Sequence, residues 1–194
     1  MSWSHVNQLL VKEHVGMFKA ANNYDIYDLN TGEMLIECRE PNLGFFTKML
    51  RFTDYKRKTP FDVHLNAVNG GPVARVHRGI SLFRSRVTVT DGDGEELGTF
   101  QQKLLSIGGA FAVLDESGAE VCQLKGKWTG WDFRFMVEDV QLAHVTKKWA
   151  GIGKELFTSA DNYVLEIADA VPPESATRRL ILAAVMCIDM VLKE

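Results

Sequence analysis

The feature that most restricts the fold of this chain is an apolar segment near its C-terminus, residues 180–192, which reads LILAAVMCIDMVL. A helix over this segment is apolar on every face, so it must be buried on every side. At about 1.5 Å per residue it is about 20 Å long, shorter than the roughly 30 Å hydrocarbon core of a bilayer. The segment is therefore expected to lie inside the protein rather than across a membrane.

The sequence before this segment alternates between short strand patterns and turns that contain glycine. Alternating apolar and polar residues on both sides of such a turn are the signature of a β-hairpin. The pattern predicts hairpins over residues 24–29 and 34–38, 61–65 and 73–76, 85–90 and 96–100, and 111–114 and 120–124. A fifth pair of strands, 132–137 and 141–148, follows, because Phe133, Phe135 and Val137 alternate with polar neighbours. We therefore expect about ten to twelve strands within residues 21–170.

Together these patterns favour a mainly β fold in one domain over residues 1–194. The expected architecture is a closed antiparallel barrel of about twelve strands around a buried C-terminal hydrophobic α-helix at residues 174–193. Closure removes exposed sheet edges, and the helix fills the interior. The alternative is a helix that packs on one side of a β-sandwich. Residues 1–20 are predicted to contain a short helix from Val6 to Ala20, and Asp189 is predicted to be a buried structural carboxylate with a polar partner.

Charge and motifs exclude several classes of protein. With 22 Lys and Arg against 25 Asp and Glu, the formal net charge is −3, so the chain is not an overall basic nucleic-acid binder. Three distant cysteines indicate a reducing compartment. We expect a cytoplasmic protein with no secretory signal and no transmembrane segment. No catalytic, nucleotide-binding or zinc-protease motif occurs, so an enzyme is not expected.

The C-terminal part of the sequence resembles the phospholipid scramblase family. Residues 143–151 read AHVTKKWAG, and residues 154–163 read KELFTSADNY. The family has an I-x-K-x-W-x-G strand, an E-x-F-T-D-A-D-N-[FY] segment and a final apolar helix with I-D, in this order. Residues 7–11 and 22–26 are similar to the family's opening. The resemblance covers nearly the whole chain, and implies the twelve-stranded barrel that the family shares with the tubby C-terminal domain and the LURP-one-related proteins.

The resemblance implies calcium-stimulated, ATP-independent movement of phospholipids between leaflets. We therefore expect a protein that binds phospholipid or an anionic membrane surface, at the inner face of the plasma membrane, and promotes transbilayer exchange. The alternative is a soluble tubby-like binding or regulatory module, with a protein or phosphoinositide partner and no transport activity. Association of this chain with a second copy of itself is also expected.

A calcium segment is also implied by the resemblance, although no cofactor is expected to be required. The first acid of the family's pattern is Ser159 here, and Val164 replaces a glycine. Calcium takes about six to eight oxygen ligands, so this segment offers only a partial shell. The alternative is a turn whose side chains bond the backbone. The expected ligands are Ser159, Asp161, Asn162, Glu166 and Asp169.

A basic and aromatic segment, residues 45–58, stands where the family's animal members carry palmitoylated cysteines. Its composition suits contact with anionic lipid, where each cation near the surface contributes about 1 kcal/mol. The alternative is a strand with residues such as Phe46 and Lys48, followed by a solvated loop. The predicted lipid-contact residues, including cations from elsewhere in the chain, are Lys48, Arg51, Phe52, Tyr55, Lys56, Arg57, Lys58, Arg84, Arg86, Lys147 and Lys148.

Overall fold

The computed structural model describes residues 2–14, 21–41, 43–51, 59–79, 86–102, 111–127, 131–147 and 162–192. Within these residues the helices are a 3-10 turn at Trp3–His5, α1 (Phe45–Leu50) and α2 (Ala176–Leu192). The strands are β1 (Gln8–Glu13), β2 (Tyr24–Asp28), β3 (Met34–Arg39), β4 (Phe61–Ala67), β5 (Pro72–Arg78), β6 (Arg86–Thr90), β7 (Glu96–Gln102), β8 (Phe111–Leu114), β9 (Glu120–Lys127), β10 (Asp132–Val137), β11 (Val140–Thr146) and β12 (Asn162–Ile167).

The strands form a closed antiparallel barrel, which confirms the predicted fold class. Each strand pairs with its neighbours in chain order, and β1 closes the barrel by pairing with β12, with Leu10 opposite Val164. Every predicted hairpin is present, as β2–β3, β4–β5, β6–β7, β8–β9 and β10–β11. The period-two alternation therefore located these strands correctly, because one face of each strand packs in the core.

The C-terminal helix α2 is enclosed by the barrel. Residues 180–188 are each at most 3% exposed. These residues make about two and a half turns, so every face of the helix is covered. Burial on every face excludes a helix that packs on one side of a sandwich. The side chain of Asp189 lies outside the described part of the structure, and its role as a buried carboxylate stays a prediction.

The N-terminal region differs from the prediction. The expected helix from Val6 to Ala20 is wrong, because Gln8–Glu13 forms β1 and residues 15–20 lie outside the described residues. Leu9 and Val11 enter the core, and β1 pairs with both β2 and β12. Two ladders of backbone hydrogen bonds and this burial outweigh a weak local helical pattern.

The two ends of the barrel have different connections. Because consecutive strands are antiparallel, every odd-numbered strand ends at one end of the barrel, where the next strand begins. We call this the α1 end, because α1 lies between the end of β3 and the start of β4. The tight hairpin turns lie at the opposite end, together with residues 2–7 and the start of α2. We call this the turn end.

Candidate functional site

Helix α1 presents a cation and two apolar side chains to solvent. Its residues Lys48, Met49 and Leu50 are exposed, Met49 by 56% and Leu50 by 45%. The alternative of a strand that contains Phe46 and Lys48 is wrong, since Gly44 in extended backbone is followed by the short helix Phe45–Leu50. Among the described residues, the other large apolar side chains with such exposure are valines at the turn end, Val68, Val137 and Val140.

A buried ion pair fixes α1 to the barrel. The Arg51 guanidinium donates two hydrogen bonds to the Glu40 carboxylate, one of 2.7 Å to Oε1 and a second to Oε2. It also donates to the Pro60 carbonyl at 2.7 Å and to Thr59 Oγ1 at 3.3 Å. The two charged side chains are only 2% and 1% exposed. The pair therefore joins the end of β3, the end of α1 and the start of β4.

Glu40 itself is held by the backbone and side chains around it. Its Oε2 accepts hydrogen bonds from Asn22 N at 2.9 Å and Asn22 Nδ2 at 3.1 Å. Its Oε1 accepts a hydrogen bond from Asp62 N at 3.3 Å, and its own N–H donates to Asn23 Oδ1 at 3.1 Å. A buried carboxylate with this many donors is well satisfied. Glu40 therefore gives Arg51, at the end of α1, a fixed partner in the barrel.

A second group of cations lies at the same end of the barrel. Arg86 is the exposed first residue of β6, and Lys147 follows the last residue of β11. The Lys147 ammonium lies 3.9 Å from the ring centre of half-buried Trp131 and 5.1 Å from that of Tyr163. An aromatic ring beneath an ammonium stabilises the cation without removing its charge.

The turn end has the opposite charge. The hairpin turns and the β12–α2 connection, all of them described, contain no lysine or arginine. Their charged residues are Glu33, Asp91, Asp93, Glu95, Asp115, Glu116, Glu138, Asp139, Asp169 and Glu174. The barrel therefore has an acidic end and an end with exposed cations, although its net charge is only −3.

Comparison with known proteins identifies the family of this chain. The family described as Scramblase matches residues 4–194. The chain belongs to the scramblase family. An X-ray structure of an Arabidopsis thaliana protein aligns with a TM-score of 0.56 and 17% sequence identity, over 96% of this chain and 93% of that chain. At this identity the alignment shows a shared fold, and no curated protein sequence gives a significant match.

Three of the predicted lipid contacts of this scramblase-family chain lie at the same end of the barrel. Lys48, Arg86 and Lys147 all belong to the α1 end, which the sequence could not show. Arg51 is wrong as a lipid contact, because its charge is buried against Glu40. The remaining predicted contacts lie outside the described residues: Phe52, Tyr55, Lys56, Arg57, Lys58, Arg84 and Lys148.

The predicted calcium ligands do not form one shell. Asn162 begins β12 at the α1 end, and Glu166 follows four residues later along an extended strand. At about 3.3 Å per residue their backbones are about 13 Å apart, too far to share one ion. Ser159 and Asp161 lie outside the described residues. In the part of the chain that the structure describes, no group of three His, Cys, Asp or Glu side chains is placed to hold a metal ion.

Two of these carboxylates do lie together, in a cavity of about 410 Å³ at the turn end. Glu166 accepts a hydrogen bond from Gln8 Nε2 at 3.3 Å, and Asp169 accepts one from Asn7 Nδ2 at 2.6 Å. Asn7 Oδ1 in turn accepts a 2.6 Å bond from the buried Arg178 guanidinium. Each of these two carboxylates therefore has a polar partner within the protein.

Sequence reasoning missed the residues that depend on tertiary contacts. Glu40 has no sequence signal that connects it with Arg51, and Arg178 stands just before an apolar segment. Arg178 donates to the Val6 carbonyl at 2.7 Å, and its burial lowers its pKa. It therefore connects the N-terminal segment with the start of α2. The exposure of Met49 was also missed, since it depends on how α1 leaves the barrel.

Proposed function

We propose that this scramblase-family protein binds anionic phospholipid at a membrane surface through the α1 end of the barrel. The observation that carries the proposal is the exposed Lys48–Met49–Leu50 group on α1. Apolar side chains beside a cation suit the boundary between lipid headgroups and acyl chains. The Glu40–Arg51 pair supports the proposal, because it holds this short helix in one position before binding. Little conformational entropy is then lost when the helix contacts the membrane.

The charge distribution supports one orientation of the barrel. The α1 end carries Lys48, Arg86 and Lys147, whereas the turn end carries only acids in its turns. An anionic leaflet attracts the first end and repels the second within about one Debye length. The barrel is therefore expected to stand with its α1 end on the membrane, with its turn end toward the aqueous phase.

The expected strength of this contact follows from the exposed groups. Full burial of a Met or Leu side chain contributes about 1.5–3 kcal/mol, so two side chains that are about half exposed contribute about 1 kcal/mol each. Lys48 adds about 1 kcal/mol at an anionic surface. These groups alone give weak and reversible association, which the other cations at this end strengthen.

Movement of phospholipid between leaflets belongs to the same proposal. In the part of the chain described by the structure, no helix has the length and apolar character needed to cross a bilayer. Exchange would then follow from local disturbance of the bilayer by α1 or from self-association at the surface. It is measured separately from binding, with vesicles that carry a fluorescent lipid and a reagent that quenches only the outer leaflet.

The decisive experiment for binding is flotation with vesicles, with matched variants at the two ends of the barrel. Vesicles of neutral phosphatidylcholine are compared with vesicles that also contain phosphatidylserine, at low and high salt, with and without calcium. Met49→Ser and Lys48→Glu change the α1 end. The control is Val140→Ser, because Val140 is as exposed as Met49, at 58%, but lies at the turn end.

We expect flotation with the anionic vesicles only, weaker at high salt. Met49→Ser is expected to weaken binding about 5-fold and Lys48→Glu about 30-fold, from about 1 and 2 kcal/mol respectively. Val140→Ser is expected to leave binding unchanged. Equal loss from Val140→Ser would contradict the orientation, and no association with any vesicle at low salt would refute membrane binding. The calcium arm tests the stimulation that the family resemblance implies.

A further inference from the structure

A cavity of about 530 Å³ lies at the turn end, on the opposite side of the barrel from α1. Segments that are distant in sequence form it, namely the N-terminal turn, the start of β3, the β4–β5 turn and the start of α2. Its walls include Trp3, Met34, Asn69, Gly71, Glu174 and Arg179. The volume lies within the range of about 300–1,000 Å³ that small-molecule sites occupy.

Arg179 supplies a cation to the lining of this cavity. Its Nε atom is buried and donates no hydrogen bond to any residue that the structure describes. A guanidinium has five N–H donors in a planar fork, which matches carboxylate and phosphate oxygens. Its position in the first turn of α2 adds the positive end of the helix dipole. An anionic group is therefore favoured here, within an otherwise acidic end of the barrel.

Glu174 supplies the opposite charge in the same cavity. Its backbone has a φ of 59°, in the left-handed region that a non-glycine residue rarely adopts. Its Oε1 accepts a 3.3 Å hydrogen bond from Ser4 Oγ, which leaves its charge in place. Among the described residues no ion pair joins Glu174 with Arg179, so both charges stay available to a ligand. The Trp3 ring, which lines the same cavity, offers a surface for an ammonium group.

We propose that this cavity binds a small zwitterion, with its anionic group on Arg179 and its ammonium group near Glu174 and Trp3. The ligand class includes free amino acids and free phosphoamine headgroups such as phosphoethanolamine. The proposal does not rest on the proposed membrane function, because the cavity lies at the other end of the barrel. A zwitterion has a partner for both charged residues of the cavity, Arg179 and Glu174. A ligand with one charge would leave one of the two residues without a partner of opposite charge.

Isothermal titration calorimetry of the full chain tests the proposal with four probes. Phosphoethanolamine and serine carry both charges, whereas inorganic phosphate and ethanolamine carry one each. The variants are Arg179→Gln, Glu174→Gln and Gly71→Leu. Gly71 lines the cavity, and a Cβ atom there would meet no atom within 4 Å, so a leucine at this position has room to occupy part of the cavity. Arg134→Gln, on the outer wall of β10, is the matched control, and circular dichroism confirms that each variant folds.

We expect at least one zwitterion to bind more tightly than phosphate and ethanolamine, by about 10-fold. Arg179→Gln and Gly71→Leu should each weaken that binding by about 10-fold or more, while Glu174→Gln should remove the preference over phosphate. Tighter binding of phosphoethanolamine supports a phosphate zwitterion, and tighter binding of serine supports an amino acid. Absence of saturable binding by every probe, or binding that folded Arg179→Gln and Gly71→Leu leave unchanged, would overturn the proposal.

Discussion

Substitution of Arg51 separates a structural role from a lipid-binding role. The sequence suggests that Arg51 is one more cation of a membrane-binding segment, whereas the structure buries it against Glu40. Arg51→Met keeps a long side chain but removes the charge. The Glu40 carboxylate then stays in a site where it is 1% exposed, with its strongest partner lost.

The size of the effect follows from what the variant leaves unpaired. Breaking one side of a buried ion pair costs about 3–5 kcal/mol, because the remaining charge is desolvated without compensation. The Pro60 carbonyl also loses its donor at 2.7 Å. We therefore expect Arg51→Met to lower the free energy of unfolding by about 4 kcal/mol, a large share of the 5–15 kcal/mol that is typical of a domain.

Urea unfolding followed by tryptophan fluorescence measures this loss. The matched control is Arg86→Met, an exposed cation at the same end of the barrel, which should change stability by less than about 0.5 kcal/mol. The double variant Glu40→Gln/Arg51→Met should be more stable than Arg51→Met alone, because no buried charge remains. The reasoning fails if Arg51→Met loses less than about 1 kcal/mol. It also fails if this variant keeps its stability but loses flotation with anionic vesicles.

Three further predictions concern the barrel wall and the thiols. Gly126→Ala is expected to cost about 1–3 kcal/mol in a thermal melt, because its Cβ would overlap the Phe133 ring. Arg75 donates two 2.7 Å hydrogen bonds to Asp62 and holds the pKa of that carboxyl below its ordinary 3.8. The resulting stability is present above about pH 4 and is lost as pH falls through the lowered pKa, so Asp62→Asn should flatten the acid side of the pH–stability curve. Burial raises the pKa of the Cys122 thiol to about 12, so native protein should react slowly with a thiol reagent at neutral pH and rapidly in denaturant.

Each of these predictions has an outcome that contradicts it. Full stability of Gly126→Ala would show that the ring at Phe133 can move aside at little cost. A pH profile that is the same with Asp62 and with asparagine would mean that the exposed pair with Arg75 contributes nothing measurable. Fast reaction of a thiol in the native protein would contradict the burial of the cysteines.

The predictable part of the fold depended on local patterns. Period-two alternation located every hairpin, and glycine turns marked all of them except β10–β11, since each strand turns one face to the core wherever its partners lie. Residues 180–192 are apolar on all faces, which required enclosure by other elements. By contrast, Gln8–Glu13 was predicted as part of a helix, because its pairing with β12 joins the two termini of the sequence and leaves no local signal.

The sequence by itself determined the class of the protein: a chain of hairpins, an apolar helix that needs enclosure, and family motifs. Tertiary structure alone decided the candidate sites. Closure of the barrel gathers Lys48, Arg86 and Lys147 at one end and the acidic turns at the other, and it removes Arg51 from the surface. It also brings Glu174 and Arg179 to Trp3 in one cavity. The physical reason is that side chains distant in sequence meet only through strand order and register, which no local pattern specifies.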